Sequence, residues 1–176
     1  RETKFANVRY GNVMGSRGSV IPFFIDQLEK GSIPITDERM TRFMITLDEA
    51  VKLVWKAFND MEGGETYVKK IPSMRVTDIA HTIAPGVEHQ IIGIRPGEKL
   101  HEQMISKDDS YYTYEYDDYY KILPALNGLV NSKERIKAGI KVEEGFSYTS
   151  NDNTEWMNIE MLQKWIENNK ERIGKI

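Results

Sequence analysis

The chain has 176 residues and nearly balanced charges, with 24 basic and 27 acidic side chains and a formal net charge of −3 at pH 7. It therefore lacks the basic excess typical of nucleic-acid-binding domains. With no cysteine and three scattered histidines, a disulfide framework, a thiolate nucleophile and a metal site are not expected. No apolar run approaches the roughly 18 residues that span a bilayer, and no signal peptide opens the chain. Composition thus predicts a soluble, cytoplasmic protein without nucleic-acid or membrane partners.

The first residues suggest a longer polypeptide. The chain begins at Arg1, and Phe5–Tyr10 already has the pattern of a strand. Because a strand needs pairing partners, we expect this chain to be a piece of a larger protein. The alternative is an independent chain that begins at a natural processing site.

A glycine- and serine-rich loop, Gly11–Ser19, separates the first strand from a helix predicted over Ser19–Lys30. The helix has apolar residues at helical spacing, a proline in its first turn and Gly31 as its C-terminal stop. Ile33–Ile35 contains a proline and is therefore predicted to be an edge strand. A second short strand is predicted at Phe43–Ile45.

Thr46 and Glu49 form a predicted capping box that opens a helix reaching about Met61. Local patterns then predict four further elements: the strand Glu65–Lys69, a helix Asp78–Ala84 capped by Thr77, the strand Gln90–Ile94 and an amphipathic helix Asn158–Ile173. The acidic, tyrosine-rich stretch Ser106–Tyr120 fits either an extended strand at an interface or a solvated irregular segment. The alternation of strands and helices favours an α/β domain that lacks the first half of its sheet.

The loop Gly11–Ser19 is the first candidate binding segment. It follows a strand and leads into a helix N-terminus, where free N–H groups favour an anion. Asn12 and Ser16 can donate hydrogen bonds, and Arg17 adds a positive charge. The glycine spacing matches neither G-x-G-x-x-G nor a Walker loop. The residues alone leave open both a phosphate-binding loop and a plain strand-to-helix turn.

The second candidate is Arg95–Glu102, at the end of a predicted strand. Ligands in open α/β sheets collect at the carboxyl ends of strands, and a guanidinium there can grip a phosphate. The charged residues after the turn Pro96–Gly97 are predicted to begin a helix. A turn with solvated charges fits the sequence equally well, and His101–Glu102 is not part of an H-E-x-x-H metal motif.

The third candidate, Thr36–Phe43, is predicted to be a hairpin with surface charges, although its polar residues could close over a ligand. No Tyr-x-x-x-Lys pair, Gly-x-Ser-x-Gly elbow or loop with paired catalytic carboxylates is present. The adjacent pairs Asp108–Asp109 and Asp117–Asp118 are interpreted as solubility residues. The sequence therefore assigns no catalytic residue to this chain.

Several motifs follow one another along the chain: Val8–Ser19, Pro34–Asp37, Met40–Phe43 and Arg95–Glu102. Together they resemble the C-terminal half of nucleotide-sugar 4,6-dehydratases of the extended short-chain dehydrogenase/reductase superfamily. Lys70–Met74 and Ile83–Gly86 are similar to the inverting UDP-N-acetylglucosamine 4,6-dehydratases that open pseudaminic acid synthesis. The similarity covers nearly the whole chain, more loosely over Ser106–Val142.

The resemblance implies that residues 1–176 are the C-terminal substrate-binding portion of such an enzyme, beginning in a late strand of a Rossmann sheet. It also implies an NAD(P)-dependent reaction in which sugar C4 is oxidised and water is eliminated across C5 and C6. Hydride then returns to C6, and inverting members reprotonate C5 from the opposite face. The family carries its Tyr-x-x-x-Lys pair and its main cofactor site, for NADP or NAD, in the N-terminal half. The 176-residue chain alone is therefore expected to be inactive.

The resemblance also implies roles for individual positions. Those matching substrate-binding positions are Asn12, Ser16, Thr36, Arg95, Glu98, His101 and Asn153. Those matching positions beside the cofactor are Tyr10, Val13, Met14, Gly15, Ser16 and Arg17. The implied partners are a UDP-sugar substrate and, in the full-length enzyme, further copies in a homo-oligomer. The alternatives are a related capsule-type UDP-sugar dehydratase or epimerase, and a non-catalytic UDP-sugar-binding module.

Overall fold

The computed structural model describes residues 3–125 and 133–173, which form two compact units. The first unit draws on Arg1–Tyr10, Thr46–Ile71 and Gln103–Thr149, and the second on Gly11–Ile45, Pro72–Glu102 and Ser150–Ile176. Within the described ranges, no helix is long and apolar enough to cross a membrane.

The strands in chain order are β1 (Asn7–Arg9), β2 (Asn12–Val13), β3 (Ser32–Ile35), β4 (Thr41–Ile45), β5 (Thr66–Lys69), β6 (Ser73–Arg75), β7 (Glu88–Ile91), β8 (Gln103–Ile105), β9 (Thr113–Glu115), β10 (Tyr119–Ile122), β11 (Ile140–Lys141) and β12 (Tyr148–Thr149). The helices are α1 (Val20–Gln27), α2 (Leu47–Asp60), α3 (Val76–Ile83), α4 (Lys133–Ile136), α5 (Ile159–Asn168) and α6 (Lys170–Ile173).

A five-stranded sheet organises the first unit, in the order β1-β5-β10-β9-β11. β1 runs parallel to β5, with Val8 opposite Tyr67, and the other pairs are antiparallel. Leu53 and Ala57 of α2 form a buried cluster with Tyr67 and Tyr119. The tyrosine-rich stretch therefore contains ordered strands, and some of its tyrosines are core residues.

Helix α2 begins with the predicted capping box. The Thr46 hydroxyl accepts the N–H of Glu49 at 3.2 Å, and the Glu49 carboxylate accepts the N–H of Thr46 at 3.1 Å. Two N–H groups that a helix start leaves unpaired are thus satisfied by side chains.

A buried ion pair lies between α2 and β10. The ammonium of Lys121, which is 1% exposed, donates to Asp60 Oδ2 at 2.6 Å and to the carbonyl of Arg135 at 2.7 Å. The hydroxyl of Tyr67 donates to the same carboxylate at 2.8 Å. Burial alone would raise the pKa of Asp60, but hydrogen bonds from Lys121, Lys137 and Tyr67 lower this pKa to about 2. Ionised Asp60 therefore stabilises the first unit at neutral pH.

The second unit has a mixed sheet with β4 between β2 and β6, and a separate parallel pair, β3 and β7. Its core combines Ile21 and Phe24 of α1 with Ile79 of α3 and Leu162 of α5. The helix predicted over Asn158–Ile173 is present as α5 and the short α6. This core holds β2, β4 and the start of α1 in place for the site described below.

The predicted start of α3 is wrong. The helix begins at Val76 rather than Asp78, and Arg75 rather than Thr77 is its N-cap residue. β6 leads directly into the helix, and the N–H of Val76 donates to the carbonyl of Met40 at 3.0 Å. A partner distant in sequence therefore satisfies the first helical N–H, and no side-chain cap is made.

The segment after α3 also differs from its prediction. The strand is Glu88–Ile91, not Gln90–Ile94, because its pairing with β3 ends at Ile91. No helix follows Pro96–Gly97, and the chain makes turns there. The carbonyl of Leu100 is bonded to the N–H of Thr41 at 3.1 Å, so its hydrogen bond goes to β4 instead of a helical turn.

Two further interpretations are corrected. Thr36–Phe43 is not a hairpin, since among the described strands β3 pairs with β7 while β4 pairs with β2 and β6. The aspartate pairs are not merely solubility residues. Asp118 is bonded to Lys69 at 2.7 Å, and Asp109 accepts the N–H of Ser106 at 3.0 Å.

Candidate functional site

A cleft of about 330 Å³ opens in the second unit, at the lower end of the range for small-molecule pockets. Its walls combine apolar side chains with two arginines, a glutamate and small polar groups. The lining residues are Asn12, Gly18, Ser19, Val20, Phe23, Phe24, Pro34, Thr36, Met40, Arg42, Val76, Ile92, Arg95 and Glu98. Four residues predicted at substrate positions, Asn12, Thr36, Arg95 and Glu98, are thus brought together.

Gly11 allows the glycine-rich loop to approach β4 closely. A Cβ at this position would lie 2.4 Å from the Cβ of Phe43 and 2.5 Å from its carbonyl oxygen. Real Cβ atoms do not approach other atoms so closely, so only glycine fits here. This contact lets Asn12 pair with Met44 and places Asn12 at the cleft.

The rest of the loop bends back on itself before α1. The N–H of Met14 donates to Ile45 O at 2.9 Å, and the N–H of Ser16 donates to Val13 O at 3.1 Å. The Ser19 hydroxyl donates to Ser16 O at 2.6 Å, so it does not cap α1. The first turn of α1 contains no acidic residue, which leaves an uncapped, electropositive helix start at the cleft wall.

Arg95 and Glu98 lie on the turn that follows β7. A Glu98 carboxylate oxygen accepts the Thr36 hydroxyl at 3.4 Å, and the other accepts the N–H of Arg95 at 3.4 Å. Both distances are long, so these bonds are weak and replaceable. Among the described residues, none forms a hydrogen bond or ion pair with the Arg95 guanidinium, which is exposed at the cleft. The Arg95 guanidinium is therefore available to bind an anionic ligand.

Arg42 supplies a second, more buried cation. Its Nη1 donates to the carbonyls of Thr41 at 2.7 Å and Leu100 at 3.2 Å, and its Nε lies 3.6 Å from Glu102. Burial lowers the pKa of Arg42, while the carboxylates of Glu102 and Glu98 act in the opposite direction. A guanidinium stays charged in proteins even so, and here it is held rigidly in the cleft wall.

His101 lies behind the cleft wall rather than on it. Its Nδ1 is 2.8 Å from the Thr41 hydroxyl. Burial, together with the charges of Arg42 and Arg39, lowers the pKa of His101, so the neutral imidazole is favoured at pH 7. The structure therefore gives this predicted substrate residue a contact with β4.

The remaining predicted residues are spread over both units. Asn153 donates to Ser73 Oγ at 3.0 Å and to Glu155 O at 2.9 Å, and it is not among the cleft-lining residues. Tyr10 is 40% exposed and belongs to the first unit, whereas Met14 is buried in the second. Arg17 is exposed on the loop, next to Gly18 in the cleft wall.

Sequence reasoning placed Arg42 in the third candidate segment, Thr36–Phe43, but did not assign it to the site, and it missed the apolar wall. Arg42 lies on β4 between Thr41, which is buried, and Phe43, which is fully buried. The available signal was a charged residue that directly precedes the apolar run Phe43–Ile45 within one strand. The partly exposed Phe23 and Ile92 carried no such signal, because single exposed apolar residues are common. In the described ranges, no group of three or more potential ligands could hold a metal ion.

Taken with the fold, these features define an α/β protein whose second unit carries a ligand cleft suited to an anion. A model of the family described as "polysaccharide biosynthesis protein" matches residues 1–124. The chain belongs to this family.

Known proteins are similar over most of the chain. A Campylobacter jejuni protein named "UDP-N-acetylglucosamine 4,6-dehydratase (inverting)" is 51% identical over 164 residues, which is 89% of this chain and 49% of that protein. A Rickettsia canadensis protein named "UDP-glucose 4-epimerase" is 37% identical over 170 residues, or 94% of this chain and 50% of that protein. The chain thus spans about half the length of these curated relatives.

A solved structure supports the fold. The X-ray structure of Pen from Bacillus thuringiensis matches with a TM-score of 0.79 and 32% identity, over 95% of this chain and 51% of that one. The predicted fold class, the C-terminal part of an extended short-chain dehydrogenase/reductase, is confirmed, as is the family resemblance read from the motifs.

Proposed function

We propose that this chain is the substrate-binding half of an inverting UDP-N-acetylglucosamine 4,6-dehydratase. The cleft between the start of α1 and the turn after β7 carries the proposal, because Arg42 and Arg95 place two cations there. A UDP-sugar presents a diphosphate, and the exposed Arg95 guanidinium can bind phosphate oxygens through two parallel hydrogen bonds. Arg42, whose nitrogens already donate to protein acceptors, contributes mainly its charge. Similarity to the Campylobacter jejuni dehydratase supports the choice of substrate.

The charged and polar side chains at the cleft have separate roles in this proposal. Arg95, the more exposed cation, and Arg42, the more rigid one, neutralise the diphosphate together with the electropositive start of α1. Thr36 and Glu98 exchange their weak mutual bond for bonds to the nucleoside, with Glu98 as acceptor. Asn12 reaches the sugar side of the substrate. His101 is expected alongside, acting through Thr41 unless substrate binding releases it.

A nicotinamide cofactor would supply the reversible hydride acceptor that oxidation at sugar C4 and reduction at C6 require. The loop of Tyr10, Val13, Met14, Gly15, Ser16 and Arg17 fits only an edge of such a group. The N–H groups of Met14 and Ser16 are already bonded within the unit, so they cannot form a phosphate cradle. The exposed side chains of Tyr10 and Arg17 remain available. We infer NADP, with NAD as the alternative, held mainly by the half of the enzyme outside this chain.

The remaining parts of the proposal follow from the family resemblance. The full-length enzyme is a homo-oligomer in the cytoplasm, and its UDP-4-keto-6-deoxy-hexose product serves surface-glycan or flagellin-sugar synthesis, of the pseudaminic acid type. This chain contributes substrate binding to that enzyme, and on its own it does not turn over substrate.

Replacement of Arg95 tests the proposal in the complete protein. Arg95→Ala should raise the dissociation constant for UDP roughly ten- to hundredfold, since a hydrogen bond to a charged group is worth about 1.5–3 kcal/mol. Arg95→Lys should recover part of the loss, because a point charge lacks the planar fork. Titration calorimetry measures both variants, with the melting temperature as a check on folding.

Arg39→Ala is the matched control. Arg39 is another exposed arginine of the second unit, but it is bonded to Asp37 at 2.7 Å and does not line the cleft. Its removal should leave UDP affinity within about twofold of wild type, as expected for exposed ion pairs. Wild-type UDP affinity in Arg95→Ala would remove Arg95 from the site.

A UDP-sugar 4-epimerase is the second candidate, favoured by the similarity to the Rickettsia canadensis protein. It would use the same cleft, so binding experiments do not separate the two. The product does: a dehydratase releases a 4-keto-6-deoxy sugar, and an epimerase releases the intact 4-epimer. A third possibility, a non-catalytic UDP-sugar-binding module, predicts binding with no product from the complete protein.

A further inference from the structure

A buried pair of hydroxyls joins three segments of the second unit. Thr41 Oγ1 lies 2.7 Å from Ser150 Oγ and 2.8 Å from His101 Nδ1. Ser150 Oγ also accepts the N–H of Glu102 at 2.9 Å. Ser150 is fully buried and Thr41 is 4% exposed, and neither lines the cleft. The hydroxyl pair, Thr41 and Ser150, therefore ties the start of β4 to the segment 100–102 without touching a ligand.

The contacts of this pair converge on Arg42. The Thr41 carbonyl accepts both the Ser150 hydroxyl at 3.2 Å and Arg42 Nη1 at 2.7 Å. The Leu100 carbonyl accepts Arg42 Nη1 and the N–H of Thr41. Glu102, whose backbone is held by Ser150 through its N–H and its carbonyl, places its carboxylate 3.6 Å from Arg42 Nε. The two carbonyls and the carboxylate that orient the guanidinium thus belong to segments that the hydroxyl pair fixes, while Arg42 Nη2 donates to the Met40 thioether at 3.0 Å.

Hydrogen-bond capacity shows why the Ser150 hydroxyl is hard to replace. A serine hydroxyl has one proton and two acceptor sites. Here it accepts from Glu102 and offers its proton to the carbonyl or hydroxyl of Thr41. Alanine at this position would leave a buried N–H and a buried hydroxyl without this partner, and the segment would shift to find others.

We propose that Ser150 is a positioning residue for the substrate site, which fixes through Thr41 and Glu102 the acceptors that aim the Arg42 guanidinium into the cleft. The inference rests on the proposed function, because it takes Arg42 to face the substrate diphosphate. It makes Ser150 necessary for affinity although Ser150 never contacts the substrate.

Ser150→Ala in the complete protein tests the inference, with Ser110→Ala as the matched control. Ser110 is equally buried, in the first unit, where its hydroxyl donates to Lys107 O at 2.5 Å and accepts the N–H of Gly145 at 3.0 Å. Both variants should lose similar thermal stability. Ser150→Ala alone should raise the dissociation constant for UDP about three- to tenfold, measured by calorimetry.

Two further measurements separate positioning from a general loss of structure. In an Arg42→Met background, Ser150→Ala should cause no additional loss of UDP affinity, because coupled residues are not additive. With UDP-N-acetylglucosamine as substrate, Ser150→Ala should raise KM more than it lowers kcat. If Ser150→Ala fails to fold, Thr41→Val should show the same loss of affinity, and Thr41→Ser, which keeps the hydroxyl, should not.

The outcomes distinguish this inference from the function on which it rests. If the wild-type protein binds UDP and Ser150→Ala binds it equally well, Ser150 is only structural and the inference is wrong. The same conclusion follows if the loss persists in full in the Arg42→Met background. If the wild-type protein does not bind UDP, the proposed function fails and the inference fails with it.

Discussion

The close approach of Gly11 to β4 makes Gly11→Ala the sharpest structural test of the binding loop. The added Cβ would lie 2.4 Å from the Cβ of Phe43 and 2.5 Å from its carbonyl oxygen. Phe43 is fully buried, and its backbone belongs to the middle strand of the sheet, so it cannot move aside cheaply. Overpacking of this kind costs about 1–3 kcal/mol, and contact with backbone atoms places this case near the upper limit.

Gly18→Ala provides the comparison within the same loop. Gly18 has a φ of 72°, but no heavy atom lies within 4 Å of its added Cβ. Its substitution therefore carries only backbone strain, about 1 kcal/mol. Urea unfolding followed by circular dichroism measures both variants. Gly11→Ala should lose about 2–3 kcal/mol and also UDP affinity, since Asn12 would be displaced. A Gly11→Ala variant as stable as Gly18→Ala would refute the close approach.

Three further predictions concern stability and activity. The folded-state pKa of Asp60 is about 2, below its usual value, so the contribution of its carboxylate to the free energy of unfolding is complete above about pH 4 and is lost as the pH falls towards 2. Asp60→Asn should abolish roughly 2 kcal/mol of this acid-dependent stability, measured by urea titrations at several pH values. Thr46→Ala should cost about 1 kcal/mol in the same assay, whereas Thr77→Ala, at a position that does not cap, should change stability by less than about 0.5 kcal/mol. The 176-residue chain mixed with UDP-N-acetylglucosamine and NADP should form no 4-keto-6-deoxy product, since positioned proton-transfer groups supply about 10²–10⁴-fold in rate and it lacks the Tyr-x-x-x-Lys pair.

Each of these predictions has an outcome that contradicts it. A pH profile of stability that is identical in Asp60→Asn and wild type would show that the ion pair with Lys121 contributes nothing. Equal losses in Thr46→Ala and Thr77→Ala would mean that the capping box has no energetic role. Turnover by the 176-residue chain would place catalytic groups within it.

Local signals in the sequence predicted much of the fold correctly. The capping box at Thr46 is confirmed, and Gly31 ends the single 3-10 turn Leu28–Lys30 that continues α1. Both features depend only on residues within one turn, so their spacing is sufficient to identify them. Pro34 correctly marked an edge strand, because its missing N–H excludes a central position. The sequence also identifies Gly11–Ser19 as a glycine-rich loop, but only the structure shows that the close approach of Phe43 leaves no room for a side chain at Gly11.

The errors arose where a distant partner decides the local structure. Thr77 has the composition of a cap, yet Met40, far away in sequence, satisfies the start of α3. The strands β3 and β4 are neighbours in sequence, but each finds a better partner elsewhere, so no hairpin forms. Arg42 was not assigned to the site for the same reason. The position of its guanidinium in the cleft wall depends on a hydrogen bond to the carbonyl of Leu100, a residue distant in sequence, and no local pattern encodes this contact.

The most direct test of the proposed function is the product of the complete protein in deuterated water. Incubation with UDP-N-acetylglucosamine and NADP, followed by nuclear magnetic resonance, should show a UDP-4-keto-6-deoxy-hexose of L-arabino configuration with one solvent deuterium at C5. The label reports that C5 is reprotonated from solvent, and the L-arabino configuration reports that the proton is added from the opposite face. Formation of the intact 4-epimer, or recovery of unchanged substrate under conditions where UDP binds, would contradict the assignment of this chain to an inverting dehydratase.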